Sequence, residues 1–228
     1  MSVFRRVIEK VDEFDKALTL STTPQGEFGW TLTKTAAAGS PTAACVSADD
    51  GAFNITLANT SEAEIMTISQ DDVLAFRWDS LQYVEFVVSQ PVAADAVTTL
   101  FFGVSNARND AVGSITEKAL FKVLGSTDTT AIVIDTADTV NTNTGVATAN
   151  VMSSTPQRFA IDFTDGLAKV KFYIDGARQA PGTTFNLSGM TGGHRCQLQA
   201  QLQKASGTGV PQAQISRVYV RYRAFDGV

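Results

Sequence analysis

The chain has 228 residues, 44% of them hydrophobic and 18% charged, with a formal net charge of −5. Its length and composition suit one globular domain with a substantial buried core. An acidic chain with no basic block gives no electrostatic ground for binding nucleic acid, and no apolar run reaches the roughly 18 residues of a membrane-spanning helix.

Residues 1–20 differ from the rest. Phe4, Val7, Val11, Phe14 and Leu18 follow a 3-4-3-4 spacing with charged residues between them, which is a helical period. So short a stripe is not stable as a lone helix and must pack on something. The segment is therefore expected as a helical or extended arm. Phe4, Val7, Val11 and Phe14 either cap their own domain or contact neighbouring subunits, and two heptads about a shared axis would suit a trimer. The arginines at 5 and 6 precede no apolar core, so no export signal is expected.

Residues 21–228 read as strands separated by Gly, Ser, Asn, Asp and Thr clusters. GAFNITLAN places Phe53, Ile55 and Leu57 on one face, and LQYVEFVVSQP does the same for Val84, Phe86 and Val88. TTLFFGVSN, KALFKVLGS and TAIVIDTA continue the series. Two stretches poor in bulky apolar residues, 34–45 and 135–157, read as loops, the second with a weak hairpin around Asn143-Thr144-Gly145.

In RFAIDFTDGLAKVKFYIDGARQA, residues 158–180, Phe159, Ile161 and Phe163 share one face, as do Val170, Phe172 and Ile174. Thr164-Asp165-Gly166 turns the chain between the two runs. Asp175-Gly176 then marks where the chain leaves the sheet. In ISRVYVRYRA, residues 215–224, Val218, Val220 and Tyr222 face the same core.

This pattern, F-x-I-x-F, DG, then V-x-F-Y-I-D-G, resembles the central hairpin of concanavalin A-like jelly rolls, particularly the laminin G-like group. ISRVYVRY resembles that group's closing strand, with Ser216 and Arg217 where acidic residues are usual. The resemblance spans roughly residues 50–224. It implies an all-β, two-sheet antiparallel jelly-roll sandwich over 21–228 behind the N-terminal arm.

That fold carries lectins, hydrolases and structural modules alike. Hydrolases of the fold often hold their carboxylates as Glu-x-Asp-x-(x)-Glu on one strand, and the chain has no such motif. Glu85 stands alone on its strand, and Asp162 has only the turn residue Asp165 nearby. His194 and Cys196 lie two apart, yet Cys196 is in phase with Leu198, Ala200 and Leu202 and reads as a buried thiol. Two cysteines and one histidine leave no zinc set. The doublets Asp49-Asp50 and Asp71-Asp72 lack the ligand density of a calcium loop. No catalytic residue, metal or cofactor is expected.

Arg195, Gln197, Gln199, Gln201 and Gln203 alternate with the apolar row and read as an outward polar face, with Lys171 and Tyr173 outward on the hairpin. Such a face could bind a glycan or a protein. The stretch from Trp30 to Gln90 also resembles tailed-phage virion proteins, in a Gly-containing strand followed by L-x-x-V-E-F-x-V. That resemblance implies a capsid decoration or cement protein, made in the host cytoplasm and placed on the virion surface. It would bind the major capsid protein lattice as a homo-oligomer, most simply a trimer. The alternatives are a carbohydrate-binding module of a phage tail, fibre or bacterial protein, and a glycan hydrolase.

Overall fold

The structure, a computed structural model, describes residues 6–14, 20–46, 51–92, 98–124 and 131–224. Among these, sixteen strands form two antiparallel sheets of eight. The strands are β1 (Val7–Asp12), β2 (Thr31–Ala36), β3 (Thr42–Val46), β4 (Ala52–Thr56), β5 (Glu64–Ser69), β6 (Phe76–Arg77), β7 (Leu81–Val92) and β8 (Thr98–Ser105). They continue with β9 (Lys118–Val123), β10 (Ala131–Ala137), β11 (Thr142–Val151), β12 (Gln157–Asp162), β13 (Lys171–Ile174), β14 (Ala177–Arg178), β15 (Arg195–Lys204) and β16 (Gln212–Arg223). Sheet A runs β14-β13-β12-β7-β16-β4-β3, with β1 paired to β16. Sheet B runs β11-β10-β9-β8-β15-β5-β2, with β6 paired to β15.

The apolar rows of the two sheets meet in one core. Phe159, Ile161, Phe163, Val170, Phe172, Ile174, Val218 and Val220 are all buried in it, and Tyr222 packs against its rim. Aromatic rings run through its centre: Phe86 to Phe102 at 5.7 Å, Phe102 to Phe159 at 4.8 Å, Phe121 to Phe159 at 5.1 Å and Phe121 to Phe172 at 5.3 Å. Most meet edge to face, the favoured arrangement of aromatic quadrupoles.

One open sequence expectation is decided and three change. Of the helical and extended forms left open for the arm, residues 7–12 take the extended one as β1, in register with β16 from Val7–Arg223 to Asp12–Val218. The last half of β16 would otherwise leave its backbone groups unpaired on that side, and a strand satisfies them where a lone short helix is marginal. Phe14 (φ 50°) then turns into the core at 6.2 Å from Trp30 and 5.9 Å from Phe53. Phe4 and Leu18 lie outside the described residues.

The stretch 135–157 is mostly strand, and its turn is Asp138–Asn141. Gly145 (φ 64°) sits in an irregular register instead of a turn. Alternating Thr, Ala, Asn and Val suffice for an edge strand that is only half buried. Likewise, β2 and β3 occupy most of 34–45. At Asp175-Gly176 both φ angles are positive, 49° and 79°, and the chain folds straight back into β14. This is the two-residue hairpin that Asp-Gly favours, so the chain stays in sheet A there.

Candidate functional site

The two outer faces of the sandwich follow from strand parity. On sheet A, side chains that alternate with the core row point outward and line up across strands. Register places Tyr173, Ala160, Glu85, Tyr219 and Val11 in one row, with Lys171, Asp162, Tyr83, Arg221 and Glu9 in the next. Arg158, Val87 and Arg217 begin a third.

Glu85 is the centre of this face and is only 3% exposed. Tyr83 Oη donates to it at 3.1 Å, Arg158 Nη2 at 2.8 Å, and Arg217 Nη1 lies 3.6 Å away. Burial, reinforced by the Glu85 charge, pushes the Tyr83 hydroxyl up to about 12. Burial and a hydrogen bond to Glu9 raise Tyr219 as well. The two tyrosine rings meet edge to face at 6.1 Å. Arg217 lies 5.7 Å from the Tyr219 ring and Arg221 5.9 Å from the Tyr83 ring, within cation–π range. The result is a half-exposed platform of tyrosines and arginines fixed by one buried carboxylate. Beside it a groove of about 390 Å³ runs between Tyr83 and Tyr173 over Ala160, with Arg158, Asp162 and Asp175 at its margins.

The outer face of sheet B is different. Gln197, Gln199 and Gln201 do point away from the core, but all three are fully buried. Gln201 is met by the segment that holds Asp110, and Gln197 by Asp72. Gln201 accepts from Thr67 Oγ1 at 2.8 Å and donates to Asp110 O at 3.0 Å. Gln197 accepts from Asp72 N at 3.0 Å and donates to the Asp72 carboxylate. Gln199 has no hydrogen-bond partner for either amide atom among the described residues. Phe101, Ile115 and Leu120 form a small second core. The polar row expected to be an open surface is therefore interior. A sequence cannot announce a covering loop that lies far off along the chain.

Beside this second core a cleft of about 600 Å³ is lined by Lys118, Lys122, Asp135 and several threonines. Its charges are occupied: Lys118 Nζ donates to Val112 O at 2.8 Å, and Lys122 pairs with Asp135 at 3.5 Å. Burial lowers the Lys118 pKa.

The expected site residues thus separate. Lys171 and Tyr173 lie on sheet A, and Lys171 is tied to Asp165. The glutamines lie on the opposite side of the molecule. Arg195 is exposed at the start of β15, reaching Leu74 O at 3.5 Å. Val7 and Val11 are 49% and 41% exposed on the sheet A face. Tyr83, Arg158, Arg217, Tyr219 and Arg221 were not singled out from sequence, although the inward phase of Val218 and Val220 already implies that their neighbours point outward. Cys196 is a buried free thiol raised by burial, and His194 pairs with Glu117 at 2.6 Å rather than with Cys196. Among the described residues no group of three or more His, Cys, Asp or Glu could hold a metal ion.

No protein-family model matches the chain, and no curated protein does. Solved structures do. A protein of unknown function from Shewanella oneidensis MR-1 superposes with a TM-score of 0.62 at 11% identity, covering 100% of this chain and 92% of that one. The catalytic domain of an endo-1,3-beta-glucanase (laminarinase) from Thermotoga petrophila RKU-1 gives 0.60 at 12% identity, covering 97% and 99%. The Bacillus licheniformis beta-glucanase gives 0.59 at 12%, covering 95% and 98%. At these identities the likeness is one of fold: the chain is a concanavalin A-like jelly-roll sandwich.

Proposed function

We propose that the protein acts by binding rather than by catalysis, and that its working surface is the outer face of sheet A. The observation that carries this is the platform of Tyr83, Tyr173, Tyr219, Arg158, Arg217 and Arg221 around Glu85. Tyrosine and arginine are the side chains that most often dominate protein–protein contacts, because they bury large area at modest entropic cost while keeping a polar handle. A partner of that kind accords with a virion decoration protein seated on a major capsid protein lattice, the role implied by the sequence resemblance to tailed-phage proteins. The solved neighbours add nothing to that placement.

The groove between Tyr83 and Tyr173 favours a second reading, in which a glycan stacks on the rings. Glucanases among the fold neighbours make a sugar a reasonable ligand for such a groove. Hydrolysis draws less support. Glu85 is ion-paired with two arginines and accepts from a tyrosine hydroxyl, and Asp135 is paired with Lys122 and accepts from the Gly145 amide at 2.6 Å.

Co-sedimentation with empty shells of the cognate major capsid protein tests the first reading. The parent protein should pellet with shells, and Tyr219→Ala with Arg221→Ala should stay in the supernatant. A parent that ignores shells but binds a glycan array, and loses that binding on Tyr173→Ala, would establish the second reading in its place.

A further inference from the structure

Strand β1 pairs with β16 along one edge, and among the described residues no strand pairs with the other. An open edge carries unpaired N–H and C=O groups and is a template for another strand. The other end strands suit this less: β14 has two residues, the ladder of β11 is broken by two register shifts, and among the described side chains β2 and β3 present no exposed large hydrophobic residue.

We propose that β1 pairs antiparallel with β1 of a second copy about a two-fold axis at Glu9, joining two sheets A into one. The register follows from the sequence. Directly opposed residues in an antiparallel pair share a face, so the axis must pass through a residue of the strand. Centred on Glu9, Val7 meets Val11 of the second copy twice, and Arg6 meets Asp12 of the second copy twice. Those are an apolar pair and an opposite-charge pair, both favourable across strands; the remaining pair, Ile8 with Lys10 of the second copy, sets the methylene stem of the lysine beside the isoleucine. Centred on Lys10, Lys10 would face its own copy, Ile8 would face Asp12 and Glu9 would face Val11, and every such pair is unfavourable. Val7 and Val11 are the two residues of β1 left as exposed large hydrophobics, at 49% and 41%. The facing Glu9 pair at the centre is offset by Arg221, opposite Glu9 on β16, and by the Tyr219 hydroxyl. Asp12 accepts from the Phe14 backbone N–H with Oδ1 and from the Trp30 indole N–H with Oδ2, both at 3.1 Å, and its half-buried carboxylate keeps further lone pairs for Arg6 of the second copy.

Equivalent residues that pair antiparallel require a two-fold axis, so this contact makes a dimer and not the trimer expected from heptad spacing. Its axis stands perpendicular to the sheet. Both tyrosine–arginine platforms then face the same way, which doubles the contact available to a repeating partner. Two six-residue strands bury less than a standard interface of roughly 1,600 Å², so the dimer should depend on concentration.

Glu9→Cys tests the register. Mild oxidation should give a disulfide-linked dimer across the axis, while Lys10→Cys and Glu13→Cys should not exceed the background of the parent protein. Sedimentation velocity over a concentration series should show a monomer–dimer equilibrium, weakened about tenfold or more by Val7→Glu. Val7, Glu9 and Glu13 are exposed and Lys10 is half buried, and a circular dichroism melt confirms that each of the four variants stays folded. A protein monomeric at every concentration, a trimeric mass, or equal cross-linking at all three positions would overturn the proposal.

Discussion

The outer faces of sheets A and B are made by the same alternation of strand side chains, yet one is a surface and the other is interior. On sheet A, outward residues meet solvent and are organised around one buried carboxylate, Glu85. On sheet B, the outward glutamines are buried: Asp110 meets Gln201, Asp72 meets Gln197, and Ile115 packs on the outward Phe101 and Leu120 as a small second core. Parity decides which way a side chain points. Only the path of a distant segment decides whether water is there. Under the proposed function, changes on sheet B should cost stability and changes on sheet A should cost binding.

The sharpest test is Leu120→Ala. A true second core would lose about 2–5 kcal/mol in urea unfolding, whereas an open face would lose little. Next is Gln201→Ala, which strands Thr67 Oγ1 and Asp110 O and should cost about 1–3 kcal/mol. Gln199 gives the opposite sign. Both of its amide atoms are buried without partners, so Gln199→Leu should raise the denaturation midpoint by roughly 1 kcal/mol in equivalent stability.

On sheet A the effects should be spectroscopic and functional. The Tyr83 hydroxyl is raised from 10.0 to about 12 by burial and then by Glu85. Below pH 10 the hydroxyl is neutral in both folded and unfolded chains and has no effect. Between pH 10 and 12 the unfolded chain gives up this proton and the folded one keeps it, so folding stability falls as pH rises. Phenolate absorbance should show Tyr83 and Tyr219 titrating late, and Glu85→Gln should move the Tyr83 step earlier. The smallest stability effect belongs to Tyr219→Ala, a rim position whose loss should change stability by about 1 kcal/mol or less while weakening partner binding. A large loss of stability there would mean that the platform is structural and that the two faces differ less than their exposure implies.

The N-terminal segment teaches the same lesson along the chain. Val7 and Val11 lie four apart, a spacing that places residues on one side of a helix and also on one side of a strand. The helical stripe and the strand β1 therefore predict the same exposed pair. The structure separates them through Phe14, which turns inward to Trp30 instead of continuing the stripe.

The sequence by itself determined the inward phase of the hairpin and closing strands, hence the class of fold, because period-two alternation of Phe, Ile and Val has only one face that can be kept from water. It also determined that Cys196 lies in the core row. Tertiary structure alone decided the rest. Lys204 shares the inward phase of Leu202 and is fully buried, and its ammonium donates to the carbonyls of Ala58, Thr60, Gly207 and Gly209, with Glu64 at 3.7 Å. No local pattern announces a buried cation whose acceptors lie both about 145 residues away in sequence and within its own turn. The cover over the glutamines, the choice of strand over helix for the arm and the gathering of Tyr83, Arg158 and Tyr219 around Glu85 share that cause. Each depends on which segments, distant in sequence, the packing of two sheets brings within reach of one another.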